Sequence, residues 1–401
     1  MNKWIFAGIL VLITAGCQGT NTSFSDQQND AQQRWSKARA SVALRVAENR
    51  LSAGALDEAY KAAKQAMTLE PDRFEAKIVF GRVLIEKGRF TEAANIFSQA
   101  CQSRPNDVRV VYYLGVAQEK NGRLEDALAT YRRAYSLDQS DVGPIKAAAE
   151  VLVAMGQPRA AMLQIESYLP KAQNDPGMYE LAGRLALMGK EYDKAANYFQ
   201  QVLDMDSQNV RYAELLARAQ HSAGQYTPLV DNLTDLIGRT DYEAPTWVYL
   251  MLGDAYLANR RGKEAFNAYF TASERQPGRV EVWLSLSRAA LAMNDSPRAV
   301  ASAQRALQVS ESDINAQLLL GYSLLRDSQP ARAILVLTDA AADHPASSTL
   351  QCLMGRAHAA IGRKSEAIRC YTVALRLEPG NMVARQLLQS STNGESLSKV
   401  Q

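Results

Sequence analysis

The sequence repeats itself every 34 residues, and this restricts its fold more than any other property. Pro71 and Pro105 lie 34 positions apart, each closing a helix-like run. Frames of that length open at Ala40, Phe74, Val108, Val142, Pro176 and Val210. After a two-residue slip they resume at Thr246, Val280, Ile314 and Ser348. Place eight of the frame is always small: Ala47, Gly81, Gly115, Ala149, Gly183, Ala217, Gly253, Ser287, Gly321 and Gly355. Place twenty is Ala in nine frames of ten, with Leu229 the exception, and place twenty-seven is Ala in seven. Place twenty-four is apolar throughout, as in Phe97, Tyr131, Phe199, Tyr269 and Tyr371.

Such columns describe two antiparallel helices that approach closely only where side chains are small. Place eight is expected to face the Ala at place twenty, with larger apolar residues filling toward the next pair. One pair cannot bury its apolar face alone, so neighbours must stack. The punctuation agrees. Gly54, Gly88, Gly122, Gly156, Gly224 and Gly362 sit where the first helix ends, a left-handed position that Gly tolerates. Pro71, Pro105, Pro277, Pro345 and Pro379 stop the second helix. Pro158, Pro297 and Pro330 fall near second-helix starts. No segment reads as a strand.

The pattern over residues 40–379 resembles the tetratricopeptide repeat, a helix–turn–helix unit of this period. The resemblance implies an all-α fold, an α-solenoid of about ten repeats wound into a right-handed superhelix. Some repeats depart from the pattern. Repeats three to six and eight lack the closing Pro; repeat four has Tyr168 and Pro170, and repeat six has Leu229 and Leu236 in place of both Ala. The inserted pair Ala244-Pro245 follows. This cluster suggests a seam between sub-arrays 40–243 (repeats one to six) and 246–379 (repeats seven to ten), acting as a hinge. The alternative is that larger residues merely shift one helix pair. Trp35 and Ala38 extend the first helix N-terminally. Residues 382–390 read as a short amphipathic helix capping the stack, within a C-terminal segment 380–401 that ends in a disordered tail from 391.

The chain opens with MNKWIFAGILVLITAGC. Lys3 supplies a positive start, and the apolar run from Trp4 to Ile13 is too short to span a bilayer, which takes ~20 residues. Residues 1–16 therefore read as a signal peptide. The ending Ala15-Gly16-Cys17 resembles a bacterial lipobox, with Thr14 where Leu is usual. That resemblance implies cleavage before Cys17 and acylation of its thiol and new amine. Two or three acyl chains make detachment slow. By resemblance to Gram-negative lipoproteins, Gln18 at the next position favours the outer membrane, facing the periplasm. Residues 18–33 are polar and read as a flexible tether, reaching ~50 Å if extended. The segment 17–39 thus comprises lipidated Cys, tether and the start of the first helix.

Little chain remains for an enzyme domain. No HExxH, CxxC pair, Walker loop or GxSxG occurs. The chain holds three His and four Cys, leaving little scope for a metal site; no catalytic, metal or cofactor-binding residues are assigned, and no small-molecule substrate. Cys101 reads as packed filler. Cys352 and Cys370 share repeat ten and would pair only if their Cβ atoms came within ~4.5 Å. A net charge of +3 argues against nucleic acid as a partner.

The candidate site is a surface. In the family resembled, first-helix places two, five, nine, twelve and thirteen line a concave groove. Carried over, place nine holds Glu48, Arg82, Val116, Glu150, Arg184, Arg218, Asp254, Arg288, Tyr322 and Arg356, five of ten being Arg, while Arg109, Tyr112, Lys146, Arg211, Trp247, Leu318 and Arg326 occupy neighbouring groove places. Arg offers a planar fork to carboxylates, so the stretch Arg288, Tyr322, Arg326 and Arg356 is expected to bind an acidic or C-terminal-carboxylate segment. A Lys–Asn carboxylate clamp is disfavoured, since Glu150 follows Lys146 at place nine. The function expected is a non-catalytic protein–protein interaction scaffold, lipid-anchored in the bacterial cell envelope. It would assist assembly of a pilus, secretion or outer-membrane complex by holding partner segments. The alternative is a periplasmic scaffold for exopolysaccharide export or cell-wall synthesis.

Overall fold

A computed structural model describes residues 24–393. The signal-peptide segment 1–16, Cys17 and the residues after 393 lie outside the described residues. Among the described residues there are twenty-one α-helices, one short 3-10 turn and no strand. The chain divides into two compact units, one ending at Tyr168 and the other starting at Leu169.

The first unit holds four helix pairs: α1 (Phe24–Ser52) and α2 (Leu56–Leu69), α3 (Phe74–Glu86) and α4 (Phe90–Ser103), α5 (Val108–Lys120) and α6 (Leu124–Leu137), α7 (Gly143–Ala154) and α8 (Pro158–Tyr168). The second unit opens with the 3-10 turn Leu169–Lys171. It continues with α9 (Pro176–Met188) and α10 (Tyr192–Met205), α11 (Val210–Ala223) and α12 (Tyr226–Ile237), α13 (Thr246–Ala258) and α14 (Gly262–Arg275). It ends with α15 (Val280–Ala292) and α16 (Ser296–Val309), α17 (Ile314–Arg326) and α18 (Pro330–Asp343), α19 (Ser348–Ala360) and α20 (Lys364–Leu377), and the single helix α21 (Met382–Asn393). Each unit is a stack of antiparallel helix pairs, so the fold is an all-α solenoid. Residues 243–246 lie inside the second unit.

The close approach within each pair differs in detail from the sequence expectation. The nearest neighbour of glycine at place eight is the side chain at place twenty-four, while Ser287 at place eight also donates to the carbonyl of Ala299 at place twenty at 2.9 Å. A Cβ added to Gly115 would stand 2.8 Å from the Tyr131 ring. Gly81, Gly253 and Gly355 are covered in the same way by Phe97, Tyr269 and Tyr371, and Gly321 by Leu337. Where place eight is Ala or Ser, place twenty-four carries no ring: Ala47 goes with Ala63, Ala149 with Ile165, Ala217 with Leu233 and Ser287 with Ala303. A ring at place twenty-four thus occurs only opposite a glycine, because a side chain at place eight would occupy the space that the ring fills. Tyr131, Tyr269 and Tyr371 are buried to 1% exposure or less. Tyr131 donates its hydroxyl to Glu119 (2.8 Å) and Tyr269 to Asp254 (2.6 Å), so two of these rings bring a satisfied polar end into the core.

The turn at place fifteen is left-handed in every repeat. The six expected glycines adopt φ between 71° and 78°. Lys190, Arg260, Asn294 and Ser328 adopt φ of 59–60° at the same place. The stacked neighbours hold these four against a steric penalty that Gly does not incur.

The inserted pair Ala244-Pro245 is absorbed into packing. Ala244 is 3% exposed and shares one core with Leu229, Leu233, Leu236, Val248 and Leu252. The larger residues of repeat six fill this core. Arg275 donates to the Ala244 carbonyl at 2.7 Å, and the Tyr242 hydroxyl to Glu214 at 2.8 Å.

Both ends run longer as helix than the sequence suggests. Residues 24–33, expected to be tether, are the first turns of α1. Residues 27–33 are exposed, and their polarity reports only that. The segment contains no Gly or Pro, an Asp30–Arg34 pair spans one turn, and Ser36 donates to the Leu69 carbonyl at 3.0 Å. Once residues 40–51 are packed, propagating the helix backward needs no new nucleus. At the other end α21 extends to Asn393, beyond the expected 390, because Ser391 is buried along with Ala384 and Leu387. Leu387 packs with Ala367 and Tyr371, covering the last repeat.

Candidate functional site

In the second unit, residues from α15, α17, α19 and the start of α21 surround a cavity of about 460 Å³. Its cations are Arg288 and Arg356. Asn315, Thr349 and Asn381 add neutral polar groups. Leu318, Leu319, Tyr322, Cys352, Leu353 and Val383 make an apolar wall, and no carboxylate lines the cavity.

The lining follows the repeat. Asn315 and Thr349 occupy place two, Leu318 and Cys352 place five, and Arg288, Tyr322 and Arg356 place nine. A helix presents places two, five and nine on one face, and stacking aligns these faces. The guanidinium of Arg356 lies 5.7 Å from the centre of the Tyr322 ring, a cation–π contact that holds the arginine without neutralising it. Among the described residues neither Arg288 nor Arg356 has an ion-pair partner. Burial pushes the Cys352 thiol up to about 11, with Glu378 acting the same way and Arg356 opposing. Cys352 is therefore an uncharged, apolar part of the wall. Cys352 and Cys370 are both free and buried.

Of the residues singled out in the sequence, the cavity gathers Arg288, Leu318, Tyr322 and Arg356. Arg326 does not join them: at place thirteen it donates to the Asn294 side chain at 2.9 Å. Elsewhere in the second unit, Arg184 is exposed, and Arg218 sits 4.7 Å from the centre of the Trp247 ring. Arg211 is neutralised by Glu180 at 2.5 Å. In the first unit, Arg109 is tied to Asp107 at 2.8 Å, while Tyr112 packs against Tyr131. Arg82 lies 5.5 Å from the Tyr113 ring centre and lines a separate cavity of about 460 Å³ with Glu48, Glu86 and Val116. The five place-nine arginines thus share one property: none has a carboxylate partner among the described residues. Arg109 and Arg211, both at place two, are each spent on a local ion pair.

The lining residues that the sequence reading did not assign to the groove are Asn315, Leu319, Thr349, Cys352, Leu353, Asn381 and Val383. Asn315, Thr349 and Cys352 stand in groove places and were legible by column. Asn381 and Val383 belong to the capping helix, which has no column. Asn381 caps α21, accepting from the Ala384 amide at 2.9 Å and donating to Ser348 at 2.8 Å.

A family profile described as tetratricopeptide repeat matches residues 37–107, 78–142, 181–227, 250–316 and 318–381. A second profile of the same description matches residues 118–185. The chain belongs to the tetratricopeptide-repeat family. No curated protein matches it significantly. Similar solved structures include a tetratricopeptide repeat protein from Parabacteroides merdae, at 14% identity and TM-score 0.42, covering 63% of this chain and 99% of that one. The Cut9–Hcn1 hetero-tetramer of the APC/C aligns at 14% identity and TM-score 0.41 over 92% of this chain and 96% of that one. Pseudomonas aeruginosa pilF aligns at 18% identity and TM-score 0.42 over 50% of this chain and 91% of that one. Tetratricopeptide repeats identify the chain as a protein-interaction scaffold with protein or peptide partners.

Proposed function

We propose that this tetratricopeptide-repeat protein holds an acidic or C-terminal-carboxylate segment of a protein partner in the α15–α17–α19–α21 cavity. The observation behind this reading is the pair Arg288 and Arg356, two uncompensated cations beside an apolar wall in a cavity that no carboxylate lines. A guanidinium meets a carboxylate with two parallel hydrogen bonds. The Leu318, Leu319, Leu353 and Val383 wall then accepts an apolar side chain beside that carboxylate. The role is positional, and no reaction is assigned to the array. Trp247 and Tyr322 each have an arginine over one ring face, which favours peptide over stacked sugar.

The same reading places the chain in the bacterial cell envelope, lipid-anchored at Cys17 and facing the periplasm from the outer membrane. There it would serve a pilus, secretion or outer-membrane assembly. The support is the leader sequence ending in Ala15-Gly16-Cys17. Anchoring raises the local concentration of any captured segment.

Two measurements test this. Fluorescence anisotropy with peptides ending in an apolar residue and a free carboxylate should show binding that Arg288→Ala plus Arg356→Ala weakens by ten-fold or more. Amidated peptides should bind no better than that variant. Equal binding by wild type and variant removes the site. Mass spectrometry of the mature N-terminus should find acylated Cys17, and an unmodified Cys17 refutes the anchor.

A further inference from the structure

Helix α1 has two apolar faces. Ala40, Ala43, Leu44 and Ala47 are buried and share a core with residues of α2. On the other side Trp35, Val42 and Val46 are 65%, 53% and 41% exposed. With Ala31 and Ala38 these residues recur every three or four positions, which makes one continuous stripe along the helix. Trp35, Ala38, Val42 and Val46 line a shallow groove of about 320 Å³ beside α2. Along the edges of the stripe stand Arg34 and Arg45 on one side and Arg39 on the other, all exposed. Among the described residues Arg39 and Arg45 have no ion-pair partner, and Arg34 faces Asp30 at a loose 3.7 Å. A helix with Trp and aliphatic residues between arginines has the composition of one that lies in a lipid interface.

The chain also brings this stripe within reach of lipid. Because α1 begins at Phe24, only residues 18–23 separate it from Cys17. That segment spans no more than about 25 Å even when fully extended. Trp35 follows about 16 Å further along the helix axis. A linker of that length lets α1 lie along the surface to which Cys17 is held, so the stripe can meet the lipid.

We propose that the Trp35–Val42–Val46 stripe of α1 docks on an anionic lipid surface, with Trp35 at headgroup depth and Arg34, Arg39 and Arg45 against lipid phosphates. This rests on lipidation at Cys17. The acyl chains hold the protein at the bilayer, and the stripe sets the orientation of the first unit against it.

The test uses the lipidated mature protein in vesicles carrying lipids brominated near the headgroup. Its readout is the tryptophan quenching that Trp35→Phe removes. Trp35 is exposed, so that variant leaves the core intact. On vesicles rich in phosphatidylglycerol, Trp35→Phe should abolish most of the lipid-dependent quenching. On phosphatidylcholine, or in 0.5 M salt, the Trp35 contribution should fall at least two-fold. The triple variant Arg34→Glu, Arg39→Glu, Arg45→Glu should lose the preference for phosphatidylglycerol while still floating with the vesicles. Flotation of wild type with no quenching assignable to Trp35 overturns the docking and leaves the anchor standing. Failure of wild type to float overturns the anchor, and the docking with it. Unquenched Trp35 together with cross-links between α1 helices of two chains shows that a second copy covers the stripe, which also overturns the proposal.

Discussion

A Cβ added to Gly183 would stand 2.6 Å from Cε1 of Phe199. The ring of Phe199 is fully buried, so it has no room to move. Gly183→Ala is therefore overpacked and should destabilise the second unit by about 1–3 kcal/mol. Phe199→Leu alone leaves a void and also destabilises. The double variant should lose less than the sum of the two, because each change makes room for the other. Thermal midpoints of the four proteins check this, and strict additivity would show that the two residues do not share the space.

The left-handed turns at Lys190, Arg260 and Ser328 hold a conformation that costs a side-chain-bearing residue roughly 1–2 kcal/mol. Glycine gives back part of that gain through its greater freedom when unfolded. Lys190→Gly, Arg260→Gly and Ser328→Gly should each stabilise by about 0.5–1 kcal/mol. Denaturant midpoints that fall on any of the three would show that its side chain makes a compensating contact.

Burial holds the Cys352 thiol at about 11. A raised value in the folded state means that the neutral thiol is favoured there. The resulting stability is complete below the ordinary thiol range and is lost as pH rises from about 9 toward 11. At pH 8 the thiolate fraction is about 100-fold below that of an ordinary thiol. Alkylation of Cys352 in the folded protein should be slower than in urea by at least that factor. A rate matching a free thiol would place Cys352 in solvent.

Arg326 and Arg356 separate the groove reading by position. Arg326 is held by Asn294 outside the cavity, whereas Arg356 lines it. Arg326→Ala should change peptide affinity less than two-fold, and Arg356→Ala several-fold, with a weaker salt dependence for the latter. Equal losses would extend the site along α17 to place thirteen.

The insertion at Ala244-Pro245 is embedded in a continuous core with Leu233, Leu236 and Val248. Amide exchange should therefore show protection through α12 and α13 comparable to that of α15 and α16. Faster exchange confined to residues 225–250 would identify a hinge between repeats six and seven.

What the sequence determined is local. Places eight and twenty-four lie sixteen residues apart in one helix pair, so the exchange of Gly81 with Phe97 for Ala217 with Leu233 is written within each frame. The helix starts at Phe74, Val108, Pro176, Val210, Thr246, Val280, Ile314 and Ser348 follow from the same 34-residue period. Tertiary structure decided everything that depends on distant neighbours. Arg211 and Arg326 stand in groove columns, yet Glu180 and Asn294, each about one repeat away, claim them; Arg288 and Arg356 stay free because stacking sets no carboxylate beside them. The polar residues 24–33 became helix because the packed segment behind them supplies the nucleus, a contribution that composition cannot reveal. Periodicity reports which face of a helix is buried, and only the assembled stack shows which side chains remain unpaired on the other.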